Sequence, residues 1–360
     1  MKAIVLAGGF GTRLKPLTER MPKPLLPVAG RPCIDFVLHS LVSAGFKEII
    51  IATSYMSDRV MKRMGDGLDY DASILYSFEA TPAGTAGAVK RVADFIEDTF
   101  VVASGDVLAD VNIGELYEYH KEKGSLATMA LTRVEDPTQF GIVGLDEDDR
   151  IVRFQEKPPE EEIFSNLVNA GIYVLEPRVL EFIPEGKMFD FSMEVFPLLL
   201  KKGLPVCGME LDGLWMDIGR PRDLWRASME VVKRRGKEAT MEGVTLRGLV
   251  VISDEAVIEK GVEIEGPSYI GKGATLSRGS KVRRSCVYDN VFLDREAVVE
   301  NSIVMEDSRV GWRSVIQDSV VSSACSIEED VRLISSVIGD EMNVRAHSRL
   351  EGASVAPPTN

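Results

Sequence analysis

A glycine-rich turn followed by two cations is the stretch whose residue types and spacing could do chemistry. The run Gly8-Gly9-Phe10-Gly11-Thr12-Arg13 follows a short apolar segment, and Lys23 stands between two prolines further on. Glycines let a ligand approach backbone N–H groups closely, and such groups form an anion site at a strand end. A guanidinium forks onto phosphate oxygens, and an ammonium adds a point charge. We interpret this stretch as a cradle for a nucleoside triphosphate, with these nucleotide-binding residues: Leu6, Ala7, Gly8, Gly9, Gly11, Thr12, Arg13 and Lys23.

Two familiar phosphate-binding motifs do not occur in the sequence. A dinucleotide fingerprint needs a third glycine three residues after Gly11, where Leu14 stands, and a P-loop ends in Gly-Lys-Ser or Gly-Lys-Thr. A glycine cluster alone is more typical of a tight strand-to-helix turn. Arg13 and the Pro-Lys-Pro unit around Lys23 favour a ligand site instead.

The same stretch resembles the signature of the sugar-1-phosphate nucleotidyltransferases, a glycine-rich loop ending in Gly-Thr-Arg-Leu and followed by Pro-Lys-Pro-Leu. The resemblance implies transfer of a nucleotidyl group from a nucleoside triphosphate to a sugar 1-phosphate, with release of pyrophosphate. The sugar-phosphate oxygen would attack the α-phosphorus in line, without a protein nucleophile. As catalytic residues we expect Arg13, neutralising charge on the pyrophosphate, and Lys23, supporting the transferring phosphate.

Two aspartates are candidates for holding magnesium, which prefers carboxylates, phosphates and water as ligands. Asp106 closely follows the apolar run Phe100–Ala103 and would lie just beyond the carboxyl end of a strand. A lone aspartate there is otherwise typical of a turn or a helix cap. Asp217 stands between methionine and isoleucine, where a simply solvated charge is not expected. Both positions match the family's metal-binding aspartates, so the resemblance implies catalytic Asp106 and Asp217 with Mg²⁺ as the cofactor.

The sugar-phosphate side depends on the resemblance. Lys157 lies in a Glu-Lys-Pro unit, in which the family's lysine binds the sugar phosphate and its glutamate binds sugar hydroxyls. Without the resemblance, Lys157 would be an ordinary loop cation. The residues expected to bind the sugar phosphate are Gly141, Glu156, Lys157, Asn169 and Gly171.

The base site is predicted at Glu79. The segment Glu79–Gly87 resembles the family's second nucleotide loop, in which thymidine- or uridine-using members carry a glutamine at the position of Glu79. A carboxylate only accepts hydrogen bonds, which suits the neighbouring N1–H and N2–H donors of guanine and repels thymine O4. The alternative is a surface charge at a strand end. The nucleotide-binding residues expected here and at the metal site are Glu79, Pro82, Gly84, Thr85 and Asp106.

Three further segments, Tyr55–Ser57, Glu194–Pro197 and Gly352–Val355, resemble the mannose-1-phosphate guanylyltransferases. We therefore expect GTP and mannose 1-phosphate as substrates. Two alternatives stay open: the same reaction with dTTP or UTP and glucose 1-phosphate, and a regulatory subunit that binds a nucleotide-sugar without making it. Mannose and glucose differ in one hydroxyl orientation, and the expected sugar contacts suit either.

Alternating strand-like and helix-like segments predict an α/β fold with a mostly parallel sheet for residues 1–228, a Rossmann-like nucleotidyltransferase domain. After a linker at 229–245, aliphatic residues recur in steps of six and five over 246–354, and serines recur every 17 residues. This period resembles the hexapeptide left-handed parallel β-helix. The alternative is an ordinary β-sandwich with frequent short strands, which the held period disfavours. The β-helix holds one histidine, His347, so we expect a structural or oligomer-forming role rather than acetyl transfer.

The bulk composition limits the partners. A formal net charge of −14 and a pI of about 4.9 argue against nucleic acid and anionic membranes, both of which need a basic face. The four cysteines form no Cys-x-x-Cys pair, and the three histidines are scattered, so neither disulfides nor a zinc site are expected. We expect a cytoplasmic homo-oligomer with no membrane segment.

Overall fold

The computed structural model describes residues 1–79 and 81–357, so Ala80 of the predicted base loop lies outside the described residues. The chain divides into two compact units. The first consists of Met1–Gly9 and Cys33–Asp217, and the second of Phe10–Pro32 and the chain from Ile218 onward. The glycine-rich turn is therefore divided between the units after Gly9. The domain limits expected from the sequence, 1–228, 229–245 and 246–354, stay predictions.

The first unit alternates strands and helices. Its strands are β1 (Lys2–Leu6), β2 (Glu48–Thr53), β3 (Ser73–Phe78), β4 (Phe100–Ser104), β5 (Val107–Val111), β6 (Ala127–Arg133), β7 (Gly141–Leu145), β8 (Ile151–Glu156), β9 (Leu167–Leu175), β10 (Val206–Glu210) and β11 (Gly213–Asp217). Its α-helices are α1 (Cys33–Ser43), α2 (Ser57–Met64), α3 (Gly84–Lys90), α4 (Ile113–Lys123) and α5 (Phe196–Lys201), and a π-helix at Phe191–Val195 precedes α5.

The main sheet has the order β8-β7-β9-β4-β1-β2-β3, and β6 pairs with both β9 and β10. Strands β1 to β4 run parallel, and the apolar runs of β1, β2 and β4 place the side chains of Val5, Ile51 and Val102 in the core, fully buried. Strand β9 is antiparallel to β4, β6 and β7, so the sheet is mixed. The predicted Rossmann-like α/β fold is confirmed, with this antiparallel strand as a refinement.

A two-stranded antiparallel ribbon, β5 with β11, leaves the main sheet after Gly105. The Gly105 N–H donates to the Leu6 carbonyl oxygen at 2.8 Å, and a Cβ at this glycine would lie 2.9 Å from Val5 Cγ1. A side chain cannot be accommodated there, because the backbone packs directly against β1. The glycine thus directs the chain from the end of β4 into the ribbon.

The second unit contains a parallel β-helix whose strands form three sheets of seven, seven and six strands. The first sheet consists of Thr245–Arg247, Glu263–Glu265, Lys281–Arg283, Val298–Glu300, Val315–Gln317, Arg332–Ile334 and Arg349–Glu351. The second consists of Val250–Ile252, Ser268–Ile270, Cys286–Val287, Ile303–Val304, Val320–Val321, Val337–Ile338 and Ser354–Val355. The third consists of Val257–Ile258, Thr275–Leu276, Phe292–Leu293, Arg309–Val310, Ser326–Ile327 and Asn343–Val344.

The repeat that predicts the left-handed β-helix also fills its interior, and that prediction is confirmed. Val299, Ile316 and Leu333 face one another in register on successive coils and are fully buried. The serine repeat forms a ladder beside this core: the Ser302 N–H donates to Ser285 Oγ, and the Ser319 N–H donates to Ser302 Oγ, each at 3.0 Å. These buried hydroxyls pair with backbone groups at a corner of each coil.

The segment Phe10–Pro32 belongs to the second unit through contacts with the β-helix. The Ala29 N–H donates to the Tyr288 hydroxyl at 3.1 Å, and that hydroxyl donates to the Pro27 carbonyl oxygen at 2.8 Å. Helix α6 (Pro221–Arg235) also lies in this unit, and Trp225 Nε1 donates to the Arg284 carbonyl oxygen at 2.8 Å. No helix within the described part of the chain is long and apolar enough to cross a membrane.

Candidate active site

The end of β1 leads into the glycine-rich turn beside Asp106. The Ala7 N–H donates to the Ala52 carbonyl oxygen at 2.7 Å, and Ser54 Oγ donates to the Gly8 carbonyl oxygen at 2.8 Å. Strand β2 therefore fixes the start of the turn. A Cβ built at Gly9 would lie 3.9 Å from Asp106 Oδ2, so the turn and this carboxylate face one space. This is the edge of a parallel sheet at which ligands bind.

The two predicted metal ligands lie at the same end of the ribbon. Val107 on β5 pairs with Asp217 on β11, and Asp106 is the residue before Val107. Directly paired residues in an antiparallel ladder have Cα atoms about 4.5–5.5 Å apart, so the backbone at Asp106 passes close to the backbone at Asp217. Both are half-buried. Residues 1–79 and 81–357 contain no group of three or more His, Cys, Asp or Glu side chains that could hold a metal ion.

This carboxylate pair fits a magnesium ion. Mg²⁺ is commonly bound through one or two protein carboxylates, with substrate phosphates and water as the other ligands. The oxygen donors of Asp106 and Asp217 match that preference. When bound, the ion would neutralise phosphate charge at this edge of the sheet.

Trp215 ties the ribbon to the strand predicted to contact the sugar. Its indole Nε1 donates to the Ala170 carbonyl oxygen at 2.8 Å, and its ring meets the Phe140 ring edge-on with centroids 5.8 Å apart. Ala170 lies on β9 between Asn169 and Gly171. The strand that carries Asp217 is therefore hydrogen-bonded to the strand that carries Asn169 and Gly171.

Asn169 and Gly171 lie at an irregularity within β9, where the register with β6 shifts. The Gly171 N–H donates to Asn169 Oδ1 at 2.9 Å, and Asn169 Nδ2 donates to the Tyr173 hydroxyl at 2.9 Å. Gly171 has a φ of 72°, and a Cβ there would lie 2.8 Å from Ser104 Oγ. Only glycine fits this conformation and this spacing without strain.

The Glu-Lys pair lies opposite Gly141. Gly141 on β7 pairs with Glu156 on β8, and a Cβ at Gly141 would lie 2.6 Å from Glu156 Oε2. Lys157 follows with a φ of 44°, its N–H donates to the Phe140 carbonyl oxygen at 3.0 Å, and its Nζ lies 3.8 Å from Glu156 Oε1. Burial raises the pKa of Glu156, the Lys157 charge lowers it, and the Asp190 carboxylate raises it further.

Glu79 occupies the end of β3 with one carboxylate oxygen uncompensated. Its Oε2 accepts a long hydrogen bond, 3.5 Å, from the Ala83 N–H. Its Oε1 is buried and has no hydrogen-bond partner in the part of the chain that the structure describes. Burial raises the pKa of this carboxyl, while the Ala83 N–H and the Arg91 charge lower it. The side chain as a whole is half-buried, and its role at the base site stays a prediction.

The remaining predicted residues fall into two groups. Gly84, with a φ of 75°, begins α3, and Thr85 follows it with hydrogen bonds to Asp190, a residue that sequence reasoning missed. In the second unit, a Cβ at Gly11 would lie 3.2 Å from Lys23 Cβ, and Lys23 is buried. Arg13 is exposed in the short 3₁₀ helix Thr12–Leu14 of that unit. The grouping of these two cations with the aspartates stays a prediction.

The first unit defines a class of protein: an α/β fold with a glycine-rich turn after its first strand and acidic residues at the ends of neighbouring strands. The chain belongs to the nucleotidyl transferase family, whose profile matches residues 2–234. Residues 246–360 match the profile of the GMPPB C-terminal domain. Members of this family generally use a divalent metal, and a nucleoside triphosphate and a sugar 1-phosphate fit it as substrates. The predicted enzyme class, a sugar-1-phosphate nucleotidyltransferase, is confirmed.

Individual relatives span most of the chain. It is 35% identical over 337 residues to the UTP–glucose-1-phosphate uridylyltransferase of Synechocystis sp., covering 89% of this chain and 87% of that protein. It is 36% identical over 303 residues to the mannose-1-phosphate guanylyltransferase of Mycobacterium tuberculosis, covering 83% and 82%. The structure of HddC from Yersinia pseudotuberculosis, complexed with GMP-PN, matches with a TM-score of 0.55 and 26% identity, covering 64% of this chain and 99% of that one.

Proposed function

We propose that this enzyme transfers a guanylyl group from GTP to mannose 1-phosphate, giving GDP-mannose and pyrophosphate, with Mg²⁺ held by Asp106 and Asp217. The observation that carries the base assignment is the unpartnered, buried Oε1 of Glu79. The two relatives named above differ by one percentage point of identity and use different bases by name. The base must therefore be argued from the site.

A guanine base would satisfy the Glu79 carboxylate. Leaving a buried acceptor unpaired costs about 1–3 kcal/mol, and more for a charged group. The N1–H and N2–H donors of guanine lie side by side and can both bond to one carboxylate. Uracil and thymine present O4 beside N3–H, so one of their two groups would face a carboxylate oxygen with repulsion. A site built for one donor pattern rejects the wrong base strongly.

The sugar-phosphate end is proposed to use Lys157 for the phosphate and Glu156 with Asn169 for sugar hydroxyls. The sugar-phosphate oxygen attacks the α-phosphorus in line, and the bond to the pyrophosphate oxygen breaks. Such transfers depend on positioning and charge stabilisation rather than on a protein nucleophile. We assign Arg13 to the charge that develops on pyrophosphate and Lys23 to the transferring phosphate.

The second candidate is the same transfer from UTP or dTTP to glucose 1-phosphate. The Synechocystis relative, named a UTP–glucose-1-phosphate uridylyltransferase, favours it. Glu79 opposes it, because an acceptor-only side chain suits neither pyrimidine edge.

Pyrophosphate release with Mg²⁺ tests both candidates, with GTP, UTP, dTTP and ATP each combined with mannose 1-phosphate and glucose 1-phosphate. Release confined to GTP with mannose 1-phosphate is the expected result. A preference for UTP or dTTP would reject the base assignment and keep the reaction class. No release with any pair, from protein that binds nucleotide, would favour a regulatory subunit.

We also propose a cytoplasmic location and a homo-oligomer. The four cysteines are free and buried, and the lack of disulfides among the described residues favours a reducing compartment. Burial also raises the pKa of the Cys325 thiol to about 11, which makes that thiol unreactive. Light scattering on purified protein measures the oligomeric state. A monomer at micromolar concentration would reject the second part of this proposal.

A further inference from the structure

A short segment, Phe189–Ser192, contacts both of the predicted substrate loops. The Phe189 N–H donates to the Ala83 carbonyl oxygen at 2.8 Å. The Phe189 carbonyl oxygen accepts from the N–H groups of Ala86 and Gly87, at 2.9 and 3.0 Å. Three backbone bonds thus hold the first turn of α3, where the nucleotide loop becomes a helix.

Asp190 adds a side-chain link to the same loop. Its Oδ1 accepts from both the backbone N–H and the hydroxyl of Thr85, each at 2.9 Å. The Phe191 N–H donates back to Thr85 Oγ1 at 2.9 Å. The Glu194 carboxylate accepts from the Asp190 N–H at 2.7 Å, which fixes the backbone that carries Asp190. Bonds to a charged acceptor are about twice as strong as neutral ones, so this link is specific.

The other end of the segment reaches the sugar strand. Ser192 Oγ accepts from Asn169 Nδ2 at 3.2 Å, and the same amide donates to Tyr173. Ser192 lies in the π-helix Phe191–Val195, an element that is rare in proteins and is frequently found at functional sites. The three residues from Asp190 to Ser192 therefore bond to Thr85 of the nucleotide loop at one end and to Asn169 of the sugar strand at the other.

We propose that Asp190 is a positioning residue that couples the nucleotide site to the sugar-phosphate site through the Thr85–Asp190–Ser192–Asn169 connection. This inference rests on the proposed function of the site. Nucleotide binding that orders Pro82–Thr85 then also orders Asn169, because the intervening segment is hydrogen-bonded at both ends. Linkage requires the reciprocal effect: each substrate tightens the binding of the other by one common factor.

Calorimetry on the full chain measures that factor. The dissociation constant of mannose 1-phosphate is determined with Mg²⁺, with and without saturating α,β-methylene GTP, which binds without releasing pyrophosphate. The ratio is the coupling factor, and we expect at least about tenfold for the unmodified protein. Asp190→Ala should reduce it to about one to two. Asp190→Asn retains an oxygen that can accept both Thr85 bonds and should keep most of the factor.

Two further variants separate coupling from simple loss of structure. Thr85→Val removes the hydroxyl bond to Asp190 and the acceptor of the Phe191 N–H, while the backbone N–H at position 85 can still donate to Asp190. It should therefore lower the factor part of the way, and the double variant should fall no further than Asp190→Ala. Thr85→Ser restores the hydroxyl and should restore the factor. Glu185→Ala removes an exposed carboxylate from the same loop and should leave the factor unchanged.

The outcomes distinguish this inference from the proposed function. If the unmodified enzyme turns over UTP instead of GTP, the base assignment fails, and the coupling is measured with α,β-methylene UTP and the sugar phosphate that it uses. A factor near one in the unmodified enzyme, or a factor retained in folded Asp190→Ala and Thr85→Val, overturns the coupling. If Asp190→Ala does not fold, Thr85→Val with its Thr85→Ser control carries the same decision.

Discussion

Replacing Glu79 by glutamine should move the base preference from guanine toward pyrimidines. The substitution keeps the size of the side chain and exchanges one acceptor oxygen for an NH₂ donor. Toward guanine, the amide retains one hydrogen bond and sets its NH₂ group against a second N–H donor. Toward uracil, the amide can donate to O4 and accept from N3–H. Among the described residues, the Glu79 Oε1 has no hydrogen-bond partner and Oε2 accepts one long bond of 3.5 Å, so the protein leaves unused the acceptor positions that guanine would use.

The size of the effect follows from the lost bond. A hydrogen bond to a charged group contributes about 1.5–3 kcal/mol, and opposing two donors adds a similar cost, so we expect about 3–6 kcal/mol in total. At 1.36 kcal/mol per tenfold change, kcat/KM for GTP should fall about 200- to 20,000-fold. The value for UTP should rise about tenfold or more.

Coupled detection of pyrophosphate at several concentrations of GTP and UTP measures both kcat/KM values. The matched control is Glu185→Gln, which makes the same change at an exposed position. A fall of less than threefold with GTP, in a variant whose parent prefers GTP, would refute the reasoning and leave Glu79 as a structural residue.

Four other predictions follow from single contacts. Asp217→Asn should lower kcat at least about a hundredfold at saturating Mg²⁺ with the melting temperature retained, while Asp212→Asn, at an exposed residue, should not. Gly171→Ala should lower the free energy of unfolding, measured in urea, by about 2 kcal/mol more than the control Gly203→Ala does. Both glycines have a positive φ, but only a Cβ at Gly171 would meet another atom, Ser104 Oγ at 2.8 Å. Ser302→Ala should lower the free energy of unfolding by about 1–3 kcal/mol, because it leaves the buried Ser319 N–H without its acceptor. The control Ser335→Ala, at an exposed serine, should lower it by less than about 0.5 kcal/mol. Finally, burial raises the pKa of Glu79 and Glu156, so their contribution to stability is present below the unfolded-state pKa and is lost as pH rises through the folded values. The slope of melting temperature against pH should therefore flatten in Glu79→Gln, and an unchanged slope would contradict it.

The β-helix was the part most open to sequence reasoning. Its six-residue period can be read from a short stretch of sequence, because each coil makes the same contacts with the next coil along the chain. Val299, Ile316 and Leu333 are buried because their phase in that repeat requires it. The serine ladder follows for the same reason, because a 17-residue spacing returns each serine to the same corner.

The catalytic unit was predictable where function lies next to a strand end in the chain. Asp106 follows β4 directly, so an apolar run and an acidic residue mark it in the sequence. Asp190 has no such mark, because its partner Thr85 is 105 residues away and its own surroundings are aromatic. The antiparallel direction of β9 was also invisible, since a buried strand has the same composition in either direction.

Two carboxylates of the candidate site, Glu79 and Glu156, are partly desolvated by burial, and neutral N–H and O–H donors of the proposed substrates would suit them. Glu79 and Glu156 are both buried enough to raise their pKa, which means that folding alone does not satisfy them. Among the described residues, Glu79 accepts one long bond from the Ala83 N–H, and Glu156 has the Lys157 ammonium at 3.8 Å. The substrates that we propose would add donors at both places: the guanine edge at Glu79 and the sugar hydroxyls at Glu156. Binding then recovers free energy that folding left unused. A pyrimidine nucleotide would recover less, because its edge offers one donor where guanine offers two. Discrimination between bases therefore arises from the unsatisfied acceptor itself, and it disappears if that acceptor is given a partner within the protein.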